Sequence, residues 1–159
     1  APQCRIAIKT ADCVPVLVQH EAIVMAIHAG WKGLAQDILA HAYTYLSDQG
    51  IPGESCHWAI GPCISQQSFE VGPELVDLFY RQGLGLSSED LALIMMKGKL
   101  DRWHVDLASL ALLRLKSLGV PAHKISIIRS DTRQNSQLWH SYRRDGVQSG
   151  RNWSWIERG

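Results

Sequence analysis

Two side chains with metal-binding and nucleophilic chemistry flank apolar segments near the start of the chain. Cys13 directly precedes the apolar run 14–18, and His28 directly follows the run 22–27. A thiolate and an imidazole either share one metal ion or act together as nucleophile and base. Asp12 places a carboxylate beside the thiol, and we take it as the candidate general acid or base.

A β-hairpin is expected to bring this pair together. Both apolar runs are rich in β-branched residues and too short for helices, so they predict two buried, paired strands. A turn at His20-Glu21 places Cys13 directly opposite His28, and directly opposed residues have Cβ atoms about 4.5–5.5 Å apart. The alternative is packing alone, because free cysteine is often a small buried hydrophobe.

The segment after His28 has the composition of a site rim. It reads Ala-Gly-Trp-Lys-Gly over residues 29–33, and its two glycines permit close backbone approach. Trp31 offers a stacking surface for a base or ribose, and Lys32 offers a cation for catalysis.

Arginines cluster near the end of the chain and are candidate phosphate ligands. Arg143, Arg144 and Arg151 lie among glycines and serines, and guanidinium forks bind phosphate through charge-assisted hydrogen bonds. The preceding residues 138–142 predict a strand. If that strand continued, Arg143 and Arg144 would point to opposite faces, and at most one would contact a given ligand. The alternative is a solvated turn between two strands.

Composition excludes several classes of protein. The 159 residues carry 16 Lys+Arg against 15 Asp+Glu, a formal net charge of +1, so the electrostatic signature of a general nucleic-acid binder is missing. The apolar runs fall far short of the about 20 residues of a membrane span. The four cysteines contain no C-x-x-C pair. We therefore expect a single domain over residues 1–159, cytoplasmic, with reduced thiols and without nucleic-acid or membrane partners.

Helices interleaved with strands predict an α+β fold, a layered α/β sandwich with a mixed β-sheet and the hairpin at its front. One helix of about four turns is expected after Gly33, and others over 73–82, 87–94 and 106–118. Further strands are expected over 56–60, 124–129, 138–142 and 153–156.

Five segments taken together make the sequence resemble a known family. They are residues 10–17 (TADCVPVL), 28–33 (HAGWKG), 61–64 (GPCI), 69–72 (FEVG) and 141–146 (SYRRDG). In this order they resemble the YfiH-like laccase-domain family, whose members carry the names polyphenol oxidase and purine nucleoside phosphorylase. The resemblance runs from about residue 6 to residue 156.

The resemblance implies a cytoplasmic zinc enzyme of α+β fold, with copper left open as the metal. Its substrates would be a purine nucleoside and phosphate: it would phosphorolyse adenosine, inosine or methylthioadenosine, and it would also deaminate adenosine. Two of the family's metal ligands match Cys13 and His28.

The sequence also departs from the family pattern. The family's first histidine ligand precedes the equivalent of Ile6, and the sequence contains no match for it. We therefore expect that the chain lacks an N-terminal segment of the family fold. Asp131-Thr132 stands where the family carries a cysteine-threonine pair. Two alternatives stay open: a cysteine hydrolase or amidase that uses Cys13 and His28, and a non-catalytic fragment.

Overall fold

The α+β architecture is confirmed in the computed structural model, which describes residues 4–158. The strands are β1 Cys4–Thr10, β2 Val14–Gln19, β3 Val24–Ala29, β4 His57–Ile60, β5 Glu70–Val71, β6 Met95–Lys97, β7 Trp103–Val105, β8 Ile125–Ile127 and β9 Asn152–Arg158. The helices are α1 Trp31–Ala35, α2 Ile38–Asp48, α3 Pro73–Gln82, α4 Ser88–Ile94, α5 Leu107–Ser117 and α6 Tyr142–Asp145.

The largest sheet is mixed, as predicted. Its strand order is β3-β2-β4-β8; β2 pairs antiparallel with β3 and β4, and β4 pairs parallel with β8. Val14, Val16 and Val18 of β2 are fully buried, because a central strand is covered on its core face. Two smaller sheets, β1-β9 and β5-β7-β6, complete the strands.

Helices α1, α2 and α5 pack against one another, and α1 and α5 also contact β3 and β4 of the mixed sheet. The core between them contains aliphatic side chains and the indole of Trp58, whose Nε1 donates a hydrogen bond of 2.9 Å to the Gly53 carbonyl. The β1-β9 ribbon also contacts β2 and β3. The hairpin is therefore packed against this ribbon and, through β3, against α1.

The hairpin forms, but the predicted register is wrong by two residues. His20 and Ile23 exchange backbone hydrogen bonds of 2.9 and 3.3 Å, so the turn residues lie one position further along the chain than predicted. His28 consequently faces Pro15 rather than Cys13. Cys13 itself lies just before the paired residues of β2, so it is not directly opposed to His28 in the sheet.

The predicted four-turn helix is divided into α1 and α2. Asp37 interrupts it with a left-handed backbone, φ +58°. Its carboxylate accepts hydrogen bonds of 2.8 and 2.7 Å from Nε and Nη2 of Arg114 on α5. A tertiary ion pair therefore fixes a break that helical periodicity does not indicate.

The predicted strand over 138–142 is wrong, and Arg143 and Arg144 lie in the short helix α6 instead. Side chains form hydrogen bonds that hold this segment in place. Trp139 Nε1 donates to Ser130 Oγ at 2.8 Å, and Asn152 Nδ2 donates to the backbone carbonyl of His140 at 2.8 Å. Ser141 then caps α6 by accepting from the Arg144 N–H at 3.2 Å. No partner strand is needed.

The remaining elements agree with prediction to within a few residues. The predicted segments 56–60, 124–129 and 153–156 contain or lie within β4, β8 and β9, and the predicted helices correspond to α3, α4 and α5. Within residues 4–158, no helix is both long and apolar enough to cross a membrane.

Candidate functional site

A cleft of about 410 Å³ opens where β2 begins and β3 ends. It gathers most of the residues singled out from the sequence. Its lining consists of Lys9, Thr10, Ala11, Asp12, Cys13, His28, Trp31, Ile64, Phe69, Tyr142, Arg143 and Arg151.

Cys13 and His28 both line the cleft at the hairpin end. Cys13 is half-buried just before β2, whereas the His28 side chain is exposed near the end of β3. Burial, together with the neighbouring Asp12 carboxylate, raises the pKa of the Cys13 thiol. A Cβ at Gly30 would lie 2.9 Å from Cys13 Sγ, so the glycine lets the segment after His28 pass close to the thiol.

The donor pair fits zinc in chemical type but supplies only part of a site. Zinc in proteins prefers thiolate and imidazole ligands in a tetrahedral arrangement. Within residues 4–158, no group of three or more His, Cys, Asp or Glu side chains is placed to hold one metal ion. Cys13 and His28 therefore offer two ligands, and a complete site needs at least one more.

Asp12 is the junction of three chain segments. Its Oδ1 accepts a hydrogen bond of 2.7 Å from the hydroxyl of Thr132, which is fully buried. Its Oδ2 accepts one of 2.6 Å from the backbone N–H of Arg143. The residue has φ +88°, a conformation costly for a non-glycine residue. Both oxygens of this carboxylate are thus already engaged within the protein.

The Asp131-Thr132 pair anchors this junction. Ser65 and Ser68 hydroxyls donate to Asp131 Oδ2 at 2.5 and 2.6 Å, and the Arg133 N–H donates to Oδ1 at 2.8 Å. Burial alone would raise the pKa of Asp131, but these hydrogen bonds outweigh it and lower the pKa. The loop that carries Thr132 is therefore held by an ionised carboxylate.

Arg143 and Arg151 bring positive charge to the cleft. Arg143 Nη1 donates to the Glu70 carbonyl at 2.9 Å, and its guanidinium lies 5.1 Å from the centre of the Phe69 ring. Arg151 Nη1 donates to the carbonyls of Ser149 and Gly150 at 2.6 and 2.8 Å. Each contact fixes one side of the fork and leaves further N–H groups for a ligand.

Two candidates from the sequence lie outside the described lining. The Lys32 ammonium is exposed at the rim, 5.3 Å from the centre of the Trp31 ring. The Arg144 guanidinium donates to the carbonyls of Thr132, Arg133 and Trp139 at 2.9–3.1 Å, and it forms an ion pair with Asp145. Arg144 therefore holds the loop together and does not reach the cleft.

Sequence reasoning missed Lys9 and Phe69 as lining residues. Lys9 lies on β1, which was not predicted, and its ammonium sits 4.5 Å from the centre of the Trp153 ring. Phe69 lies within segment 69–72, one of the five that carried the resemblance, so the signal for it was present.

A family model described as "Multi-copper polyphenol oxidoreductase laccase" matches residues 1–159. The chain belongs to this family. Its similar relatives include the "Purine nucleoside phosphorylase" of Bacteroides thetaiotaomicron, 36% identical over 150 residues and 92% of this chain. "Adenosine deaminase RL5", from an unknown prokaryotic organism, is 34% identical over 155 residues and 96% of this chain.

Solved structures of family members share the fold. YlmD from Geobacillus stearothermophilus matches 97% of this chain with a TM-score of 0.88 and 29% identity. YfiH from Bacillus licheniformis matches 95% with a TM-score of 0.87 and 28% identity. The chain spans 54% and 58% of the two curated relatives and 57% and 56% of the two solved chains.

Proposed function

We propose that the protein acts on purine nucleosides at the Cys13–His28 cleft, as a zinc-dependent purine nucleoside phosphorylase with adenosine deaminase activity. The observation that carries the proposal is the convergence of a thiol, an imidazole, two guanidinium groups and the aromatic rings of Trp31, Phe69 and Tyr142 on one cleft. The names of the two relatives support the same pair of reactions.

Phosphorolysis needs phosphate beside the anomeric carbon of the sugar. A phosphate oxygen forms a bond to C1′ while the C1′–N9 bond breaks, and the proton of hydrogen phosphate passes to the departing base. Adenosine would give ribose 1-phosphate and adenine, inosine would give ribose 1-phosphate and hypoxanthine, and methylthioadenosine would give methylthioribose 1-phosphate and adenine. Arg143 and Arg151 are our proposed phosphate ligands, because preset guanidinium forks bind phosphate in two-point contacts. Lys32 at the rim would add positive charge during ligand entry.

The purine and ribose need a flat apolar surface. Trp31 and Phe69 line the cleft, and aromatic faces stack on nucleobases with little sequence preference. Phe69 is already covered on one side by the Arg143 guanidinium. We therefore assign base or ribose stacking to Trp31 and the support of Arg143 to Phe69.

Cys13 and His28 are our proposed metal ligands, with the missing ligand supplied from outside the described residues. When bound, a zinc ion would contribute Lewis-acid chemistry to the cleft. Copper stays the alternative metal, because thiolate and imidazole donors also bind it.

For Asp12 we propose a positioning role in place of general acid or base catalysis. Its carboxylate accepts from the Thr132 hydroxyl and the Arg143 N–H, so it couples the segment before Cys13 to the arginine segment. Substitution of Asp12 is then expected to displace Arg143 and so to raise the KM for phosphate.

The cysteine hydrolase alternative has weaker support. A catalytic thiol needs a lowered pKa, whereas burial and Asp12 raise the pKa of Cys13. Metal coordination overcomes the same obstacle, because a bound metal ion stabilises the thiolate directly. The non-catalytic alternative predicts no stoichiometric metal in the purified protein.

The reaction is tested on the full-length zinc-loaded protein with adenosine, with and without phosphate, and products are separated by liquid chromatography. We expect adenine and ribose 1-phosphate only with phosphate, and inosine in either condition. Arg143→Gln is expected to raise the KM for phosphate about tenfold or more and to leave deamination nearly unchanged. Absence of both products at full zinc loading would refute the proposal.

A further inference from the structure

A second cleft lies at the opposite end of the same hairpin. It encloses about 640 Å³, against about 410 Å³ at the Cys13–His28 cleft. The hairpin turn, the segment entering β4, the segment entering β8 and the end of β9 all contribute. Its lining consists of Gln19, His20, Glu21, Ser55, His57, Lys124 and Arg158.

The hairpin turn fixes two of the nitrogen-bearing groups of this second cleft. The Ala22 N–H donates to His20 Nδ1 at 3.2 Å, and the Ala22 carbonyl accepts from Arg158 Nη1 at 2.9 Å. A neutral His20 ring with Nδ1 accepting carries its proton on Nε2. His20 and Arg158 thus both retain N–H donors beyond the contacts with the turn.

The other wall places an ammonium against an imidazole. Lys124 Nζ lies 3.2 Å from His57 Nε2. An ammonium only donates, so a His57 ring that accepts at Nε2 has Nδ1 as its N–H donor. Among residues 4–158, neither Lys124 nor Arg158 forms an ion pair with a carboxylate. Glu21 is the carboxylate of the lining, and Lys124 and Arg158 together outweigh its charge.

We propose that this second cleft is a binding site for a phosphate-bearing anion, separate from the site of the proposed reaction. A lysine point charge, an arginine fork and imidazole N–H donors are the groups that bind phosphate oxygens in proteins. The volume falls in the range of sites for small molecules. An anion between Lys124 and Arg158 would balance positive charges that the described residues leave without a paired carboxylate.

The two clefts are far enough apart to be separated by mutation. Strand β2 has 6 residues, and a strand rises about 3.3 Å per residue, so the hairpin separates them by roughly 20 Å. The ligand is either free inorganic phosphate or a phosphomonoester. Both share the same dianionic group.

The test follows histidine side chains by two-dimensional ¹H–¹⁵N NMR at constant ionic strength. Inorganic phosphate, adenosine 5′-monophosphate or chloride is added to the purified protein. We expect saturable changes at His20 and His57 with both phosphate-bearing probes, none with chloride, and none at His41, which is exposed on α2. Tighter binding of the nucleotide identifies a phosphomonoester as the ligand, and equal affinity identifies free phosphate.

Matched variants locate the response. Lys124→Gln and Arg158→Gln are each expected to weaken binding about tenfold or more, because each removes a charge-assisted contact. Lys116→Gln removes an exposed lysine on α5 and should have no effect. Arg143→Gln should also leave the response unchanged, which separates this site from the proposed reaction site. Amide spectra verify that each variant is folded.

Three outcomes overturn the proposal. The first is the absence of a saturable response in the wild-type protein, and the second is a response that survives both Lys124→Gln and Arg158→Gln in folded protein. The third is its loss in Arg143→Gln, which would assign phosphate binding to the other cleft.

Discussion

Gly30 sets how closely the segment after His28 approaches Cys13. A Cβ at Gly30 would lie 2.9 Å from Cys13 Sγ, whereas at Gly33 the nearest atom, on Ile38, is 3.6 Å away. We expect Gly30→Ala to weaken zinc binding about tenfold or more, because the added methyl group displaces the thiol. Competition with a chromophoric chelator measures the affinity. Gly33→Ala is the matched control, and equal affinities of the two variants would contradict this role of Gly30.

Thiol reactivity distinguishes the cysteines by their surroundings. Burial raises the pKa of Cys63 to about 12, and burial also raises the pKa of Cys56. The thiolate is the reactive form, so at about pH 8 iodoacetamide should modify Cys13 well before Cys63 in the folded protein, as read by peptide mass spectrometry. Zinc should protect Cys13. Labelling of Cys13 at the same rate with and without saturating zinc would favour the cysteine hydrolase alternative.

Elements with local signals were predictable from the sequence. Helix α4 begins with a capping box formed by Ser87 and Asp90. Asp106 caps α5 by accepting a hydrogen bond of 2.8 Å from the Ser109 N–H. The hairpin register was not predictable in the same way, because Glu21-Ala22 lacks the glycine that marks favoured two-residue turns. The strand predicted over 138–142 is wrong because the Asn152 side chain pairs with the His140 backbone, where a neighbouring strand would otherwise be needed.

The loop carrying Thr132 supports the cleft through one hydroxyl. Thr132→Val leaves an oxygen of Asp12 without its partner, and we expect a loss of about 1–3 kcal/mol of unfolding free energy together with a raised KM for phosphate. Thr132→Ser retains the hydroxyl, so its unfolding free energy and its KM for phosphate should both stay close to those of the wild type. Chemical denaturation and steady-state kinetics are the measurements. If Thr132→Val and Thr132→Ser have the same KM for phosphate, the hydroxyl does not position Arg143.

The break between α1 and α2 depends on the ion pair between Asp37 and Arg114. Their side chains are 27% and 14% exposed, so the pair is shielded from most solvent screening. We expect Arg114→Leu to cost about 2 kcal/mol of unfolding free energy, since the Asp37 carboxylate loses two charge-assisted hydrogen bonds. Urea denaturation measures it. Arg114→Lys keeps the charge without the fork, and full stability in that variant would show that the two-point geometry is unimportant.

Pairings between distant parts of the chain organise the whole molecule. Strand β1 pairs with β9 along their full lengths, from Cys4 opposite Arg158 to Thr10 opposite Asn152. Neither strand contains a signal that identifies the other. The sequence offered Cys13 and His28 as a pair and the arginines at 143, 144 and 151 as phosphate candidates without choosing among them. The contact of Asp12 with Thr132 and Arg143, which brings Arg143 to the cleft, joins residues more than a hundred positions apart.

The cleft and its metal are tested most directly by measuring metal content and turnover on the same protein samples. Zinc content and phosphate-dependent release of adenine are measured together in wild type, Cys13→Ala, His28→Ala and the control Cys56→Ala, which removes a buried thiol outside the cleft lining.

We predict about one zinc per chain and turnover in wild type and Cys56→Ala. Cys13→Ala and His28→Ala should lose the metal and fall to about 1% of wild-type activity or less, because each removes a ligand that the described residues do not replace. Wild-type turnover in a folded, zinc-free Cys13→Ala protein would contradict the assignment of the reaction to this cleft.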